Sequence, residues 1–509
     1  MIEEAVEPVM QVIVLGSGGG PVESNVTSLL VRSVAKGWSK GSIIAVDAGV
    51  HQAAIADCIV DAWSTRTLAT QDSPSILTKG PFAGLDLPYD KPSTNAAHVT
   101  RDLVDTYLIT HPHLDHISGF VINTAGFAGT RLKKVAALPS TIKGLRTHIF
   151  NNVIWPNLSD ENGGAGLFTF LRLTEGGNPA LGDGDGRGYS EICDGQLVKV
   201  LCVSHGHCIE RHCHRGSVSS VSTRFGSQDG SSQTPRRDMP GFTSQPMRTA
   251  SLLSHTSFNR VSFSHSFSPA SPQAEQEKMC VNDSSAFFIQ DKATRRELLI
   301  FGDVEADSIS LSPRNFPVWA EAAPKIISGN LKAIFIECSY DDSQSDEFLF
   351  GHLKPVYLIE ELTNLAQAVE NARAMPVSEN KKRKRIGSHT EDLPRRVPSN
   401  PGLESPVSPK TRKASIPDDA FLAGPDTPHL STPTAELTLG DPNVTSYPSA
   451  ASRKPLEGLK VVIIHVKDPM NDQDPPIGDI ILQQLKEHEK AAQLGCEIIV
   501  SHQGQDIYI

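Results

Sequence analysis

The amino-acid sequence predicts an α/β fold, in which one layered domain is interrupted by two long inserts that we expect to be disordered. Short apolar runs typical of buried strands alternate with helical stretches along most of the 509 residues. Residues 211–280 and 371–455 differ, because they are rich in Ser, Pro, Arg and Gln and lack apolar periodicity. The rest of the chain is long enough for one large domain with a sizeable core.

Strands open the domain, and mixed strands and helices follow, an order that favours a layered α/β fold over a parallel barrel. The predicted strands are 11–15, 26–32, 43–47, 105–110, 197–203, 285–290, 298–302, 332–337, 460–465 and 496–500. The predicted helices are 52–62 and two stretches near 352–375 and 479–493. The inserts divide the domain into three pieces, 1–210, 281–370 and 456–509.

Composition and charge exclude several classes of protein. The net charge of −11 argues against a protein that binds nucleic acid over its whole surface. No apolar run approaches the roughly 18 residues of a membrane span, and the acidic N-terminus does not resemble a secretory signal. Eight cysteines are few for this length, so we expect a reducing compartment and a cytoplasmic location.

The most informative pattern is His-x-His-x-Asp-His, which directly follows a predicted strand. His111 and His113 lie two residues apart, so their side chains can point to the same side of an extended loop. Asp115 and His116 follow where a helix is expected to begin. Imidazole and carboxylate groups suit zinc, and manganese or iron less selectively. A His-rich surface loop is the alternative, which the apolar residues on both sides disfavour.

Three later residues, His205, Asp303 and His465, each follow a predicted strand. A single His or Asp in such a place is more often a turn, cap or core residue. Together with the four ligand-type residues of the motif, they provide what a site for two adjacent metal ions needs. The sequence therefore predicts a two-metal site at the strand ends.

Five strings resemble the class II cyclic-nucleotide phosphodiesterases, the low-affinity cyclic AMP phosphodiesterases of fungi, in the metallo-β-lactamase superfamily. The strings are THPHLDHISGF, VSHG, IFGDVEAD, FIECSY and LFGHLKP. The resemblance covers most of residues 11–350 and 455–509. It implies a metallo-β-lactamase-like αββα sandwich with two metal ions at one edge. It also implies hydrolysis of 3′,5′-cyclic nucleotides, above all cyclic AMP, to nucleoside 5′-monophosphates.

The resemblance also implies how the candidate ligands divide between two divalent metal ions. Zinc is favoured, with Mn²⁺ or Fe²⁺ as alternatives. One ion would take the histidines His111, His113 and His205. The other would take Asp115, His116 and His465, and Asp303 would bridge the two ions. Asp47, in VDAG, would orient the metal loop, or it simply caps its strand.

Two residues are the candidates for catalysis, Asp115 and His352. Asp115 would act from within the metal motif. His352, shortly after Glu337, is the candidate acid that protonates the leaving 3′ oxygen. A comparable Glu and His pair assists related phosphodiesterases of the superfamily. The alternative for His352 is a helix-start or core histidine.

A crowded string, HGHCIERHCH, begins at His205 and departs from the family pattern. Such residues could form a separate structural metal site, although no second pair of ligands with zinc spacing accompanies them. We expect instead that the residues after His205 lie where the chain leaves the active site and the insert begins. Among them, His207 is a candidate for a substrate contact.

The second insert carries two candidate regulatory signals. Five consecutive basic residues resemble a nuclear import signal, or are a solvated charge run: Lys381, Lys382, Arg383, Lys384 and Arg385. Ser415 follows Arg412 and Lys413 in the pattern of a substrate of the cyclic-AMP-dependent kinase. These signals predict a partly nuclear location and a protein kinase as partner.

Two alternatives to a cyclic-nucleotide phosphodiesterase remain. A tRNA 3′-processing nuclease of the same superfamily would need a large basic arm, whereas the one concentrated basic run is short and lies in an insert. A non-catalytic nuclear scaffold would be expected to lack metal ligands, and none is missing. The sequence leaves the oligomeric state open, a homodimer included.

Overall fold

The computed structural model describes residues 7–63, 75–182, 187–210, 278–374, 454–472 and 474–509. The strands are Met10–Gly16 (β1), Ser28–Ser33 (β2), Ile43–Ala48 (β3), Ser75–Ile76 (β4), Asp86–Leu87 (β5), Val104–Leu108 (β6), Lys133–Ala137 (β7), Phe168–Arg172 (β8), Ser190–Cys193 (β9), Gln196–Glu210 (β10), Lys278–Asp291 (β11), Glu297–Phe301 (β12), Leu331–Glu337 (β13), Lys460–Ile464 (β14), Glu497–Val500 (β15) and Asp506–Tyr508 (β16). The α-helices are Gln52–Trp63 (α1), Pro92–His98 (α2), Leu114–Asn123 (α3), Pro139–Gly144 (α4), Asn315–Ile327 (α5), Pro355–Ala374 (α6) and Ile477–Ala492 (α7).

Two seven-stranded sheets form the centre of the fold. The first has the strand order β16-β1-β2-β3-β6-β7-β8, and the second has the order β15-β14-β13-β12-β11-β10-β9. In each sheet an antiparallel part adjoins a parallel part, with β3, β6, β7 and β8 parallel in the first and β12 to β15 parallel in the second. Strands β4 and β5 form a separate small hairpin.

The alternation of side chains along each strand produces four layers. Val12 and Val14 of β1 pack with Phe287 and Phe335 in a core between the two sheets. The intervening Ile13 belongs to a second core, in which helices α1 and α3 cover the outer face of the first sheet. A third core joins the second sheet to α5, α6 and α7. The layers are therefore helix, sheet, sheet and helix, which confirms the predicted αββα sandwich.

The strand ends that carry the predicted motifs meet at one edge. Strands β3 and β6 run parallel, so Asp47 and the motif that follows Leu108 lie side by side. In the second sheet β12, β13 and β14 are parallel, and their ends lead to Asp303, Glu337 and His465. The same edge of the sandwich thus collects residues that are far apart along the chain.

The structure differs from the sequence prediction mainly in short elements and boundaries. Strands β4, β5, β7, β8, β9 and β16 and helices α2, α4 and α5 were not predicted, because most are short or interrupted by polar residues or proline. Strand β11 begins at Lys278, inside the first predicted insert, and α6 continues to Ala374, inside the second. The remainder of both inserts lies outside the described residues, so their disorder stays a prediction. No helix among the described residues has the length and apolarity that crossing a membrane requires.

Candidate metal centre

All seven predicted ligands converge on one site at this edge, in which His113 is exposed, Asp115 is half-buried and the other five are buried. Their donor atoms fall into two clusters, each with its atoms within 4.8 Å of one another, and Asp303 belongs to both. The first cluster is His111, His113, His205 and Asp303. The second cluster is Asp115, His116, Asp303 and His465. These are the two groups that the family resemblance implied for two metal ions.

Asp303 occupies the centre of the site. Its carboxylate lies 3.1 Å from Nε2 of His116 and 3.3 Å from Nε2 of His465. Nε2 of His111 and Nε2 of His205 lie 3.6 Å from its Oδ2 atom. A single carboxylate surrounded by imidazoles from both clusters has the position that a bridging ligand needs.

The residues fit divalent metal ions. Nε2 of His111, His116 and His465 is buried and has no hydrogen-bond partner among the described residues. His116 Nε2 does approach Asp303, but this contact lacks hydrogen-bond geometry. A buried polar atom without a partner is costly, and an ion bound between these nitrogens and Asp303 would remove that cost. Imidazole and carboxylate donors of this kind suit zinc and neighbouring transition metals.

Hydrogen bonds to Nδ1 hold four of the imidazoles with Nε2 towards Asp303. His111 Nδ1 lies 3.1 Å from the Thr110 hydroxyl. His465 Nδ1 lies 2.6 Å from Thr27 Oγ1, and His205 Nδ1 donates to the Gly351 carbonyl at 2.9 Å. His116 Nδ1 donates to Asp47 at 2.7 Å. Such contacts behind metal ligands fix the tautomer and the orientation of the ring.

Asp47 has the orienting position that the family resemblance implied. Its carboxylate accepts hydrogen bonds from the Thr110 amide at 2.8 Å, from the Thr110 hydroxyl at 2.7 Å and from His116. Asp47 also has a φ of 52°, and His465 has a φ of 60°, both in the left-handed region. Non-glycine residues in this conformation are strained and cluster at functional sites.

The electrostatics of the site favour neutral imidazoles around an ionised carboxylate. Burial lowers the pKa of His111 and His465 well below the ordinary value, and that of His113 to about 4. Burial opposes ionisation of Asp303, but His116, together with His465 and His111, outweighs it and holds the Asp303 pKa well below its usual range. His116 is the exception among the imidazoles: Asp303 and Asp47 overcome its burial and raise its pKa.

His352 lies against the metal centre and is held by Glu337. Its Nδ1 lies 2.9 Å from Oε1 of Glu337, and its ring stacks on that of His465 with centroids 5.2 Å apart. Glu337 is fully buried and also accepts hydrogen bonds from the Val304 amide and the Ser339 hydroxyl. The structure therefore places His352 in the site, where it has no part in the two predicted ligand sets.

Sequence reasoning missed Thr27, Thr110 and Gly351 as supports of the imidazoles. A threonine or glycine at a strand end carries no signal of such a role, because the contact depends on a residue far along the chain. His207 is exposed on β10. The side chains that follow His207 lie outside the described residues, so a separate metal site there stays a prediction.

Three comparisons with known proteins bear on this site. Residues 11–379 match the family described as cAMP phosphodiesterases class-II. A 3′,5′-cyclic-nucleotide phosphodiesterase of Schizosaccharomyces pombe is 27% identical over 363 residues, which cover 70% of this chain and 75% of that protein. One of Candida albicans with the same name is 25% identical over 384 residues, 70% of this chain and 82% of its own.

The fold is also similar to that of a solved structure, unliganded yeast PDE1. The TM-score is 0.58 at 18% sequence identity, and the match covers 99% of this chain and 100% of that chain. At this identity the likeness bears on the fold alone. It agrees with the αββα arrangement of the two sheets.

Proposed function

The chain belongs to the family of class-II cAMP phosphodiesterases and is a 3′,5′-cyclic-nucleotide phosphodiesterase, and we propose that cyclic AMP is its preferred substrate. The product would be the nucleoside 5′-monophosphate. The family match supports the preference for cyclic AMP, and the observation that carries hydrolysis is the convergence of two clusters of His and Asp side chains on Asp303. A two-metal site of this kind suits a phosphodiester, whose negative charge repels an anionic nucleophile.

We propose that the two clusters hold two divalent ions, zinc in preference to manganese or iron. When bound, such ions stabilise the charge of the phosphodiester and lower the pKa of the water needed for hydrolysis. The chain contributes the arrangement: Asp303 belongs to both clusters, and Asp115 lies at the less buried side of the second. This position supports the proposal that Asp115 would face both a metal ion and the substrate.

His352 has the contacts expected of the general acid. Its Nδ1 proton is held by Glu337, so Nε2 is the nitrogen left to exchange a proton with the substrate. Burial lowers the pKa of His352, but the charges of Glu337 and Asp303 outweigh it and raise the pKa above the ordinary value. Protonated in this way, His352 could deliver a proton to the departing 3′ oxygen.

The two alternatives lose support. The family match favours a cyclic nucleotide over a tRNA substrate. A scaffold that no longer turns over substrate would be expected to lack ligands, whereas all seven are present and their donor atoms lie together. Metal content measured beside cyclic AMP hydrolysis would distinguish the three functions.

The direct test is hydrolysis of cyclic AMP and cyclic GMP by the purified, metal-loaded protein, with products separated by chromatography. We expect 5′-AMP to form faster than 5′-GMP. His98→Ala is a suitable control for the active-site variants, since His98 bonds to Asp102 outside the metal clusters. Faster hydrolysis of cyclic GMP would overturn the proposed preference.

We also propose that the second insert directs location and regulation. Its basic run, Lys381 to Arg385, would import part of an otherwise cytoplasmic protein into the nucleus, and Ser415 would be phosphorylated by a basic-directed kinase. Both lie outside the described residues. Alanine substitution of the run should change the nuclear fraction and leave hydrolysis unchanged.

A further inference from the structure

A cavity of about 550 Å³ opens beside the metal centre. Its volume falls in the range of roughly 300–1,000 Å³ that small-molecule sites occupy. Its walls come from the three loops that follow β1, β13 and β14 and from the start of α7, and they include Gly19, Tyr340, Ser343, Gln344, Lys467 and Ile477. Aromatic, aliphatic, amide and charged groups thus face one space, a mixture that suits an uncharged polar ring system better than a second phosphate.

The cavity and the metal centre share a wall. A side-chain carbon at Gly19 would lie 2.6 Å from Nε2 of His465, so only glycine fits between the cavity and this candidate ligand. On the same wall, the Ser339 hydroxyl donates to the carboxylate of Glu337 at 2.6 Å. The cavity is therefore adjacent to the metal centre, as a subsite for another part of the same substrate has to be.

Tyr340 lines the cavity and also contacts the candidate acid. Its ring meets that of His352 edge to face, with centroids 6.1 Å apart. No hydrogen bond from a described residue acts on its hydroxyl. Burial, together with the charges of Glu337 and Asp303, raises the pKa of Tyr340 to about 12. The phenol therefore stays protonated at neutral pH and can donate a hydrogen bond to a ligand.

The covalent structure of the substrate links these positions. In a 3′,5′-cyclic nucleotide the leaving 3′ oxygen and the 2′-hydroxyl are on adjacent carbon atoms of the ribose. If the 3′ oxygen departs beside His352, the 2′-hydroxyl lies one bond farther along the ring and within reach of a neighbouring side chain. Tyr340 is such a neighbour, and the cavity continues beyond it.

We propose that this cavity is the nucleoside subsite and that the Tyr340 hydroxyl binds the ribose 2′-hydroxyl. The assignment rests on the proposed function, because the position of the ribose follows from the phosphate at the metals and from the 3′ oxygen at His352. The base then lies in the outer part of the cavity, between Ile477 and the loop that contains Ser343 and Gln344. Tyr340 thereby discriminates between ribose and deoxyribose substrates.

The test compares cyclic AMP with its 2′-deoxy analogue for the wild type and Tyr340→Phe. The wild type should prefer cyclic AMP in kcat/KM by on the order of tenfold, the worth of one hydrogen bond, and Tyr340→Phe should lose most of this preference. Tyr89→Phe is the matched control, because Tyr89 contacts His98 and lies outside the cavity. It should keep the wild-type ratio.

A preference that is equal in the wild type and Tyr340→Phe would overturn the role of Tyr340. Absence of cyclic AMP hydrolysis by the wild type would instead contradict the proposed function, so the two failures differ.

A second variant tests the cavity if Tyr340→Phe does not fold. Ser343→Trp places a large side chain in the cavity, and Ser345→Trp is the control outside it. A rise of several-fold in KM for cyclic AMP with Ser343→Trp alone supports the subsite, and equal KM values for both variants would refute it.

Discussion

Nδ1 of His352 lies 2.9 Å from Oε1 of Glu337, and this contact couples the metal centre to a buried carboxylate. Glu337 is itself fixed by the Val304 amide at 2.7 Å and by the Ser339 hydroxyl at 2.6 Å. The imidazole ring is therefore held in one orientation, with Nε2 directed away from Glu337. A proton donor positioned in this way is worth far more than one on a mobile side chain.

Replacing His352 tests its role as general acid. We expect His352→Ala to retain metal but to hydrolyse cyclic AMP roughly 10²–10⁴-fold more slowly, the usual contribution of a positioned acid. The loss should be smaller for bis-p-nitrophenyl phosphate, because nitrophenolate leaves without a proton. An equal loss on both substrates would indicate binding or packing instead. Loss of metal would show that His352 is a ligand.

Metal content is expected to depend on both clusters. The purified protein should contain close to two equivalents of a transition metal by elemental analysis, since the two donor sets share only Asp303. His113→Ala and Asp303→Ala should each lose metal and activity. The Asp303 variant should retain less metal than the His113 variant, because Asp303 belongs to both clusters. Full activity in metal-free protein would contradict the assignment, and an active Asp303→Ala would remove the bridging role.

Thr27 is expected to tune metal affinity without touching a metal ion. Its hydroxyl contacts His465 Nδ1 at 2.6 Å and donates to the Gly18 carbonyl. Thr27→Val removes the contact at equal volume, so affinity for metal in a chelator competition should fall roughly 10–100-fold. Thr27→Ser should restore most of it. Wild-type affinity in Thr27→Val would mean that the strained backbone at His465 positions the ring by itself.

The inserts should be dispensable for catalysis. In the structure their ends meet: Glu210 pairs with Lys278 across β10 and β11, and the guanidinium of Arg373 donates to the Pro455 carbonyl at 3.1 Å. Short Gly/Ser linkers in place of residues 216–275 and 378–450 should therefore preserve turnover within a few-fold, because closing such loops costs little. A large fall in kcat in a folded deletion variant would show that an insert closes the active site.

His51 should make the fold sensitive to acid. It is buried beside the Tyr107 hydroxyl, and burial lowers its pKa to about 3. Between that value and the unfolded pKa of about 6.5 only the unfolded chain binds the proton, so stability is lost as pH falls through this window. Between pH 7.5 and pH 5.5 the free energy of unfolding of the wild type should fall by about 1.4 kcal/mol more than that of His51→Gln, as measured by denaturant unfolding. Equal losses would show that His51 binds its proton over the same pH range in the folded and the unfolded protein, so that burial does not lower its pKa.

Much of the site could be predicted because its ligands lie in short strings at strand ends. His111 to His116 form one contiguous motif, and Asp303 and His465 each follow an apolar strand that the sequence marks clearly. Strands buried on both faces, such as β3 and β13, appear in the sequence as continuous apolar runs. Short or polar elements such as β7 and β16 carry too little of this signal to be recognised.

The sequence by itself determined the fold class, the order of the main strands and the identity of the seven candidate ligands. Only the tertiary structure decided how those ligands are oriented and what lies beside them. Thr27 meets His465 across 438 residues of chain, and Tyr340 reaches the ring of His352 only because β13 ends at the metal edge. Motifs are local in sequence, whereas the hydrogen bonds and cavities that orient side chains form between segments that folding brings together.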